Sequence, residues 1–353
     1  MRARPADAFR RTSRDQGTAI DDIDAGATRR RLLSGGGAGI VVATILLFAL
    51  SPAVAPGSVG PAPLLSMLPF AAVLAIATAG QTLVVQQRGL DLSVPGMIAL
   101  AAALCTCTVQ YHGWPTWLAL TVSVLAPGLV GLVNGVLVAV ARVMPLIVTL
   151  GMNAVLLGTV LQISGGSPAT APDGLSRFSV GRTLGVPHTL AVAVVVLAVG
   201  AVVARRSVAG RRLTYVGVSV PASAVLGIRV TRYQVLAYGF AGLAYGVAGV
   251  LLAGYTRTPG LFVGDGYLLP TVAAVVLGGT AMTGGIASIA AGGVGALFLT
   301  QLGQLLRSLG WNDAQQLIVQ AAVLAAVVLL RQAAPALRAR ARRRGPRVSP
   351  AAG

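Results

Sequence analysis

The sequence predicts an all-α, polytopic membrane protein with about ten transmembrane helices. Of its 353 residues, 55% are hydrophobic and 10% are charged, whereas about a quarter of the residues of a soluble domain are charged. The apolar runs are long and continuous, which excludes the short alternating segments of a membrane β-barrel. Arginines cluster in alternate connections between these runs, as expected of a chain that crosses the membrane repeatedly.

Three regions follow from this pattern. Residues 1–34 are polar, carry eight arginines and five aspartates, and lack the cleavage site of a signal peptide. We expect a disordered cytoplasmic tail there, followed by a transmembrane domain over residues 35–332. Residues 333–353 form an Arg-rich cytoplasmic tail that we expect to contact anionic membrane lipid.

The spans were placed by length. A helix that rises ~1.5 Å per residue needs about 20 apolar residues to cross a ~30 Å hydrocarbon core. Stretches of this kind are predicted at residues 37–54, 64–85, 93–110, 115–138, 144–163, 186–204, 233–254, 267–283, 286–303 and 314–331.

The arginines predict the orientation. With both termini in the cytoplasm, 23 of the 27 arginines lie on the cytoplasmic side, as the positive-inside rule requires. The four on the outer side are Arg177, Arg182, Arg257 and Arg307. The sequence therefore predicts a multi-pass protein of the plasma membrane.

Composition excludes several functions. The chain has neither Lys nor Glu, so it lacks the lysine with which a Walker A loop holds nucleotide phosphates. The net charge of +18 is explained by topology, and nucleic acid is not an expected partner. Cys105 and Cys107 are predicted to be small buried hydrophobes. No metal set or nucleophile–base pair is visible, so we expect a transport subunit without a cofactor rather than an enzyme.

The stretch QQRGLDLSVPGMIAL, residues 86–100, places a carboxylate between two apolar runs. One interpretation makes Asp91 a helix N-cap, because Asp or Ser before an apolar run accepts backbone N–H bonds. The other makes the segment a broken, partly re-entrant element that lines a pathway. The two interpretations are compatible.

Uncharged polar side chains within the spans also have two interpretations. They hold helices together by hydrogen bonds worth ~0.6–2 kcal/mol each, or they line a path for an uncharged, polyhydroxylated substrate. They are Gln81, Asn134, Thr149, Asn153 and Gln162.

Glycines and two long connections complete the pattern. Gly242, Gly246 and Gly249 share one helix face, which predicts close helix packing. Residues 164–185 are rich in Gly, Pro and Ser and predict a loop or re-entrant surface. Residues 205–232 are either an Arg-rich topogenic loop or a docking segment for a soluble partner, with a short helix from Pro221 to Ile228.

Three ordered blocks resemble the membrane-spanning permease subunits of sugar-importing ABC transporters of the ribose, xylose and arabinose type. GLDLSVPGMIALAA is similar to the family's Gly-Ile-Asp-Leu-Ser-Val-Gly segment. NGVLVAVARVMPLIVTLGMNAVLLGTVLQISGG resembles its Asn-Gly…Pro-Phe-Ile-Val-Thr-Leu-Gly stretch. GDGYLLPTVAAVVLGGTAMTGGIASIAAGGVGAL resembles its Gly-Tyr…Ala-Ala-Val-Val-Leu-Gly-Gly-Thr…Gly-Gly block. The likeness runs from about residue 64 to 331.

The resemblance implies a monosaccharide importer with several partners. These are two ATP-binding subunits, a second permease chain (a copy or a paralogue), and an extracytoplasmic sugar-binding protein. It places the ATPase coupling helix at about Val218–Val230, within the segment 205–232. The residues expected there are Val218, Pro221, Ala224, Leu226, Gly227 and Ile228; the expected substrate-path residues are Asp91, Ser93, Asn134, Thr149 and Asn153.

The chain also departs from the family pattern. The coupling segment lacks the usual acidic residues, Leu268, Leu269 and Pro270 follow Gly266-Tyr267 in place of an acidic pair, and Pro95 replaces a glycine. We therefore expect a divergent member, such as one half of a heterodimer. Two alternatives stay open: a permease of the same superfamily for nucleosides or branched-chain amino acids, and a secondary transporter coupled to an ion gradient.

Overall fold

The computed structural model describes residues 37–343. The predicted tail 1–34 lies outside the described residues, as do residues 344–353 of the Arg-rich tail. The remainder of that tail continues the last helix, which runs to Arg343.

Helices account for nearly all of the described chain. The elements are α1 (Gly37–Val54), α2 (Pro61–Gln86), α3 (Val94–His112), α4 (Thr116–Ala139), α5 (Pro145–Ser164), α6 (Asp173–Val180), β1 (Arg182–Thr183), β2 (Val186–Pro187), α7 (His188–Arg206), α8 (Val208–Val218), α9 (Val220–Val225), α10 (Val230–Thr256), a 3-10 turn (Asp265–Tyr267), α11 (Leu268–Leu277), α12 (Ile289–Ser308) and α13 (Asp313–Arg343). The two short strands pair as an antiparallel hairpin.

Eight of the described helices are long and apolar enough to cross a membrane: α1, α2, α3, α4, α5, α7, α10 and α12. Each coincides with a predicted span to within a few residues, which confirms the all-α, polytopic fold. The first 15 residues of α13, Asp313–Val327, are a shorter apolar stretch.

The eighth predicted span, 267–283, is wrong in length. Helix α11 has 10 residues and rises only ~15 Å, so it reaches about halfway across a membrane. Gly278 and Gly279 follow it, and Gly279 has φ +90°, a conformation that favours glycine and ends the helix. Hydropathy alone did not reveal this stop.

The outer connection 164–185 is more ordered than predicted. It contains α6, which starts after Pro172 and turns Leu175 and Ser179 towards the bundle. A side chain at Gly254 of α10 would lie 2.8 Å from Leu175 Cγ. The segment is therefore a short helix packed across the end of α10.

The two ends of the bundle are distinguished by their contacts. At the Gln86 end, Gly285 N donates to Gln86 O over 3.0 Å. At the Tyr111 end, the Tyr111 hydroxyl donates to Pro168 O over 3.1 Å. Helices α2, α3, α10 and α12 bury most of their residues, whereas α1, α5 and α7 bury few of theirs. Helices α2, α3, α10 and α12 therefore form the centre of the bundle.

Glycines allow α4 and α10 to approach each other closely, as the sequence predicted. A Cβ at Gly242 would overlap the carbonyl oxygen of Pro127, and one at Gly246 would lie 2.8 Å from Val124 O. From α4, a Cβ at Gly135 would lie 2.7 Å from the Cα of Val235. Small residues of this kind are typical of tight helix pairs in membranes.

Two irregular segments enter the bundle from opposite ends. Residues 87–93 lead from α2 into α3, and residues 257–264 lead from α10 towards α11. They come together at the start of α3: a Cβ at Gly264 would lie 2.7 Å from the carbonyl carbon of Pro95, in the first turn of α3 directly after the first segment. The next amide, Gly96 N, bonds Asn153, the ninth of 20 residues in α5. The meeting point is therefore near the middle of the bundle.

Replacing Gly242 by Ala should separate α4 from α10. The new methyl group meets Pro127 backbone atoms, so we expect a stability loss of ~1–3 kcal/mol and a lower unfolding temperature by circular dichroism in detergent. Gly151→Ala on α5 is the control, because nothing lies within 4 Å of a Cβ there. Equal unfolding temperatures for the two variants would contradict the proposed close packing.

Candidate functional site

Asp91 is fully buried and organises the turn that precedes α3. Its Oδ1 accepts hydrogen bonds from Ser93 N over 2.9 Å and from the Ser93 hydroxyl over 2.5 Å. Bonds from an Asp to its own chain two residues on form an Asx turn. Helix α3 starts at Val94, and its N-cap residue is Ser93, whose side chain makes no capping bond. Asp91 therefore shapes the turn, and the N-cap interpretation is wrong in its geometry.

The cap of α3 comes from another helix. Asn153 of α5 accepts a hydrogen bond from Gly96 N over 2.8 Å, which satisfies one of the free N–H groups in the first turn of α3. Asn134 of α4 donates from Nδ2 to Ser93 Oγ over 3.1 Å. Thus α4 and α5 both hold the start of α3 through amide side chains.

Thr149 joins the same group, whereas the two glutamines do not. The Thr149 hydroxyl lies 3.4 Å from Leu90 O and 2.9 Å from Pro145 O. Gln81 is buried elsewhere and accepts a bond of 2.7 Å from the Tyr245 hydroxyl. Gln162 is exposed on α5. The structure thus brings Asp91, Ser93, Asn134, Thr149 and Asn153 together around the break at residues 87–93.

Several oxygens in this group have no hydrogen-bond partner among the described residues: Asp91 Oδ2, Asn134 Oδ1 and Tyr238 OH. Tyr238 reaches the break, since a Cβ at Gly89 would lie 2.5 Å from its hydroxyl. Burying polar atoms without partners is costly. The break is therefore a polar centre held inside an otherwise apolar bundle.

Sequence reasoning missed Tyr238 and Tyr245. Their spacing of seven residues places both on one face of α10, and both are fully buried. Two tyrosines on the same face of a membrane helix would have been a usable signal, because a buried hydroxyl needs a polar neighbour.

Burial limits what the predicted path residues contact in this conformation. Asp91, Ser93, Asn134 and Thr149 are each 0% exposed. They hold α3 against its neighbours and do not face an open passage. A path along them requires the start of α3 to separate from α4 and α5.

The predicted coupling segment forms two short helices at the Gln86 end. Helix α8 ends at Val218, and α9 carries Pro221 and Ala224. Ser219 caps α9 by accepting a 3.3 Å bond from Ala222 N. The observed helix spans Val220–Val225, slightly earlier than the predicted 221–228.

The segment then presents apolar side chains outside the spans. Val225 is 89% exposed and Leu226 is 70% exposed. Gly227 reverses the chain with φ +72°, and Ile228 N donates back to Ser223 O over 3.0 Å. Such a rigid apolar tip is suited to contact another protein.

Helix α8 is bonded to the segment that contains Asp91. The Arg88 guanidinium donates to Gly217 O over 3.0 Å and to Val218 O. Gln87 Nε2 donates to Leu213 O over 2.8 Å. Sequence reasoning missed these contacts, because it treated Arg88 only as an arginine that sets the topology. The polar side chains directly after an apolar run were a usable signal.

Gln86 adds a third segment to this joint. Its Nε2 donates to Thr214 Oγ1 over 3.0 Å and to Gly285 O over 3.1 Å. The end of α2, helix α8 and the turn before α12 therefore meet at one point. Arg88, which belongs to this joint, lies three residues before Asp91 in the sequence.

Comparison with known proteins identifies the family. Residues 64–328 match the family model described as branched-chain amino acid transport system / permease component. The chain belongs to this permease family. No solved structure matches the permease significantly.

Curated relatives show which kinds of import permease this chain is similar to. A ribose import permease of Escherichia coli K12 is 32% identical over 82% of this chain and 92% of its own length. A fructose import permease of Bifidobacterium longum is 31% identical over 71% of this chain and 72% of its own length. An autoinducer 2 import permease of Escherichia coli is 31% identical over 70% of this chain and 77% of its own length.

These relatives confirm the resemblance to sugar-importer permeases. They also confirm that the chain is a transport subunit and a multi-pass membrane protein. The matched range agrees with the stretch over which the sequence blocks were recognised.

Two substitutions of Asp91 should distinguish its role as a hydrogen-bond acceptor in the turn from the effect of its charge. Asp91→Asn keeps an acceptor for Ser93 and removes a buried charge, so we expect unchanged or higher stability. Asp91→Leu leaves the Ser93 N–H and hydroxyl without an acceptor and should cost ~1–3 kcal/mol. Thermal unfolding in detergent measures both. A Leu variant as stable as the unmodified protein would show that the turn does not depend on this carboxylate.

Proposed function

We propose that this permease is the membrane-spanning subunit of a binding-protein-dependent ABC importer, which moves a monosaccharide into the cell using ATP hydrolysed by a partner chain. The observation that carries the proposal is the bonded connection from an exposed docking segment, α8–α9, to the break at Asp91. The relatives named for ribose and fructose support a monosaccharide as the solute.

The arginines support an orientation with the Gln86 end in the cytoplasm. Outside α13, the described residues place eight arginines at that end and four at the Tyr111 end, in agreement with the positive-inside rule. The eight are Arg88, Arg142, Arg205, Arg206, Arg211, Arg212, Arg229 and Arg232. Both termini then lie in the cytoplasm.

The ATP-binding subunit docks, in this proposal, on the exposed tip of α9. Val225 and Leu226 supply the apolar contact, while Val218, Pro221, Ala224, Gly227 and Ile228 fix the shape of the segment. The chain has no Walker lysine, so ATP chemistry belongs to the partner. The missing acidic residues of the segment are consistent with a pair of unequal permease chains.

Movement of α8–α9 reaches the break through Arg88. A transporter is driven only if ATP and the loaded binding protein prefer different conformations, so some element must change with both. The turn at Asp91 is such an element, since α4 and α5 hold it by single amide bonds. When it opens, Asp91, Ser93, Asn134, Thr149 and Asn153 offer hydrogen bonds to sugar hydroxyls.

The other partners follow from the orientation. A second permease chain, a copy or a paralogue, completes the path. The extracytoplasmic sugar-binding protein docks at the Tyr111 end, where the β1–β2 hairpin projects Leu184, 99% exposed.

A secondary transporter is the second candidate, because Asp91 is a buried carboxylate without an ion-pair partner among the described residues. Uptake that survives ATP depletion and stops when the ion gradient collapses would favour it. A permease for nucleosides or branched-chain amino acids would instead transport those solutes in an ATP-dependent way.

An acidic residue at the tip of α9 should disrupt the ATPase contact. With Val225→Asp, we expect the ATP-binding subunit to be lost when the tagged permease is purified gently from native membranes, and ATP-dependent uptake to be lost with it. Leu184→Asp is the control for co-purification alone: it places the same charge on an exposed residue at the opposite end, where it should not affect binding of the ATP-binding subunit. A permease that purifies without any ATP-binding subunit even when unmodified would overturn the proposal.

Removing the Arg88 guanidinium should uncouple the transporter. For Arg88→Ala in proteoliposomes with all partners, we expect ATP hydrolysis to continue while sugar uptake per ATP falls by at least about tenfold, because the charged hydrogen bonds to Gly217 O and Val218 O are lost. Arg142→Ala is matched, because Arg142 is exposed and also has positive φ, 56°. Equal losses of hydrolysis and uptake would indicate a merely structural role. Normal uptake by the stable Asp91→Asn variant would remove Asp91 from the proposed path.

A further inference from the structure

Asp265 is an exposed carboxylate where the two irregular segments meet. It follows Gly264, whose added Cβ would lie 2.8 Å from the Cα of Pro95. Gly266, which follows Asp265, faces open space, since nothing lies within 4 Å of a Cβ there. Within residues 37–343, the Asp265 carboxylate makes no ion pair or hydrogen bond.

The depth of Asp265 makes this exposure significant. Beside Pro95, Gly96 bonds the middle of α5, and Tyr267 packs against two of the core clusters of the bundle. Asp265 therefore lies between the two ends of the bundle. A charged side chain at this depth is unfavourable against lipid and normally faces a water-filled cavity or another protein group.

The backbone provides an independent argument. The chain leading to Asp265 is not helical, and it exposes Gly260 and Phe262, the latter by 46%. Lipid provides no partners for irregular backbone, which is tolerated at membrane depth only where protein covers it or water fills a cavity beside it. Both the carboxylate and the backbone therefore require water or another chain on this face, and not lipid.

We propose that Asp265 lines the aqueous path between this permease and its second permease chain, and that its carboxylate accepts hydrogen bonds from hydroxyls of the passing sugar. This rests on the proposed function. A carboxylate accepts two such charge-assisted bonds at once. Phe262 and Leu269, 59% exposed, supply apolar surface for the C–H groups of the sugar.

The arrangement also defines the solute class. A single strong acceptor binds a sugar weakly enough to release it, which conduction requires. Its negative charge disfavours anionic solutes such as sugar phosphates. Unlike the buried Asp91, Asp265 is accessible without any rearrangement of α3.

Thiol labelling tests whether the face is aqueous. We expect Asp265→Cys in native membranes to react with a charged, membrane-impermeant methanethiosulfonate about a hundredfold faster than Leu129→Cys, because only a hydrated thiol ionises to the reactive thiolate. Leu129 is 63% exposed in the middle of α4. The native Cys105 and Cys107 are 0% and 1% exposed and contribute little background. Equal, slow labelling at both positions would overturn the proposal.

Uptake by the complete transporter tests sugar recognition, with labelled D-ribose and D-fructose as probes. We expect Asp265→Leu to raise KM about tenfold, and Asp265→Asn to raise it less, because an amide oxygen still accepts a hydrogen bond. An unchanged KM for the Leu variant would overturn recognition even if residue 265 is labelled. Absence of uptake by the unmodified transporter would instead overturn the proposed function, while the labelling result would still decide whether the path is there.

Discussion

The architecture of this permease depends on one constraint: backbone that leaves a helix inside the bundle must find its hydrogen bonds within the protein. The chain breaks at residues 87–93, and no water or lipid can satisfy the freed groups there. Asn153 therefore caps α3 from α5, and Asp91 and Ser93 satisfy each other. Because Asn153 of α5 and Asn134 of α4 both bond the start of α3, the positions of α3, α4 and α5 are linked.

Glycines make those links geometrically possible. A polar side chain reaches across to a neighbouring backbone only if the helices lie close together, and close approach needs residues without a Cβ. Gly96 illustrates both requirements, because a Cβ there would lie 2.9 Å from the Asn153 oxygen that bonds its amide. In this permease, the glycine content and the buried polar group are two parts of the same packing arrangement.

The two acidic residues at mid-depth have opposite environments. Asp91 is enclosed and belongs to the element that holds the bundle together, whereas Asp265 is exposed on a face that needs water or another chain beside it. Hydropathy treats the two alike, since each is a single aspartate next to apolar residues. Their difference follows from which helices surround them.

Part of the candidate site could be predicted from the sequence. Asp91, Ser93, Asn134, Thr149 and Asn153 were identified because polar residues in apolar spans are rare, and they do meet at one break. Tyr238, Arg88 and Asp265 were missed: the spacing of the tyrosines and the polar end of α2 were usable signals, but no local pattern shows which segment packs against these residues. Their roles depend on contacts more than a hundred residues away in the sequence.

The sequence alone determined the membrane class, the family and the positions of ten spans, eight of which are long helices in the structure, since these depend on composition, on the length of apolar runs and on ordered local blocks. Only the tertiary structure decided that α11 stops after 10 residues, that α6 packs on α10, and that two irregular segments meet at Pro95 and Gly264. Length and hydropathy are properties of a segment by itself. Where a segment ends, and what its polar groups bond, are decided by the helices packed against it.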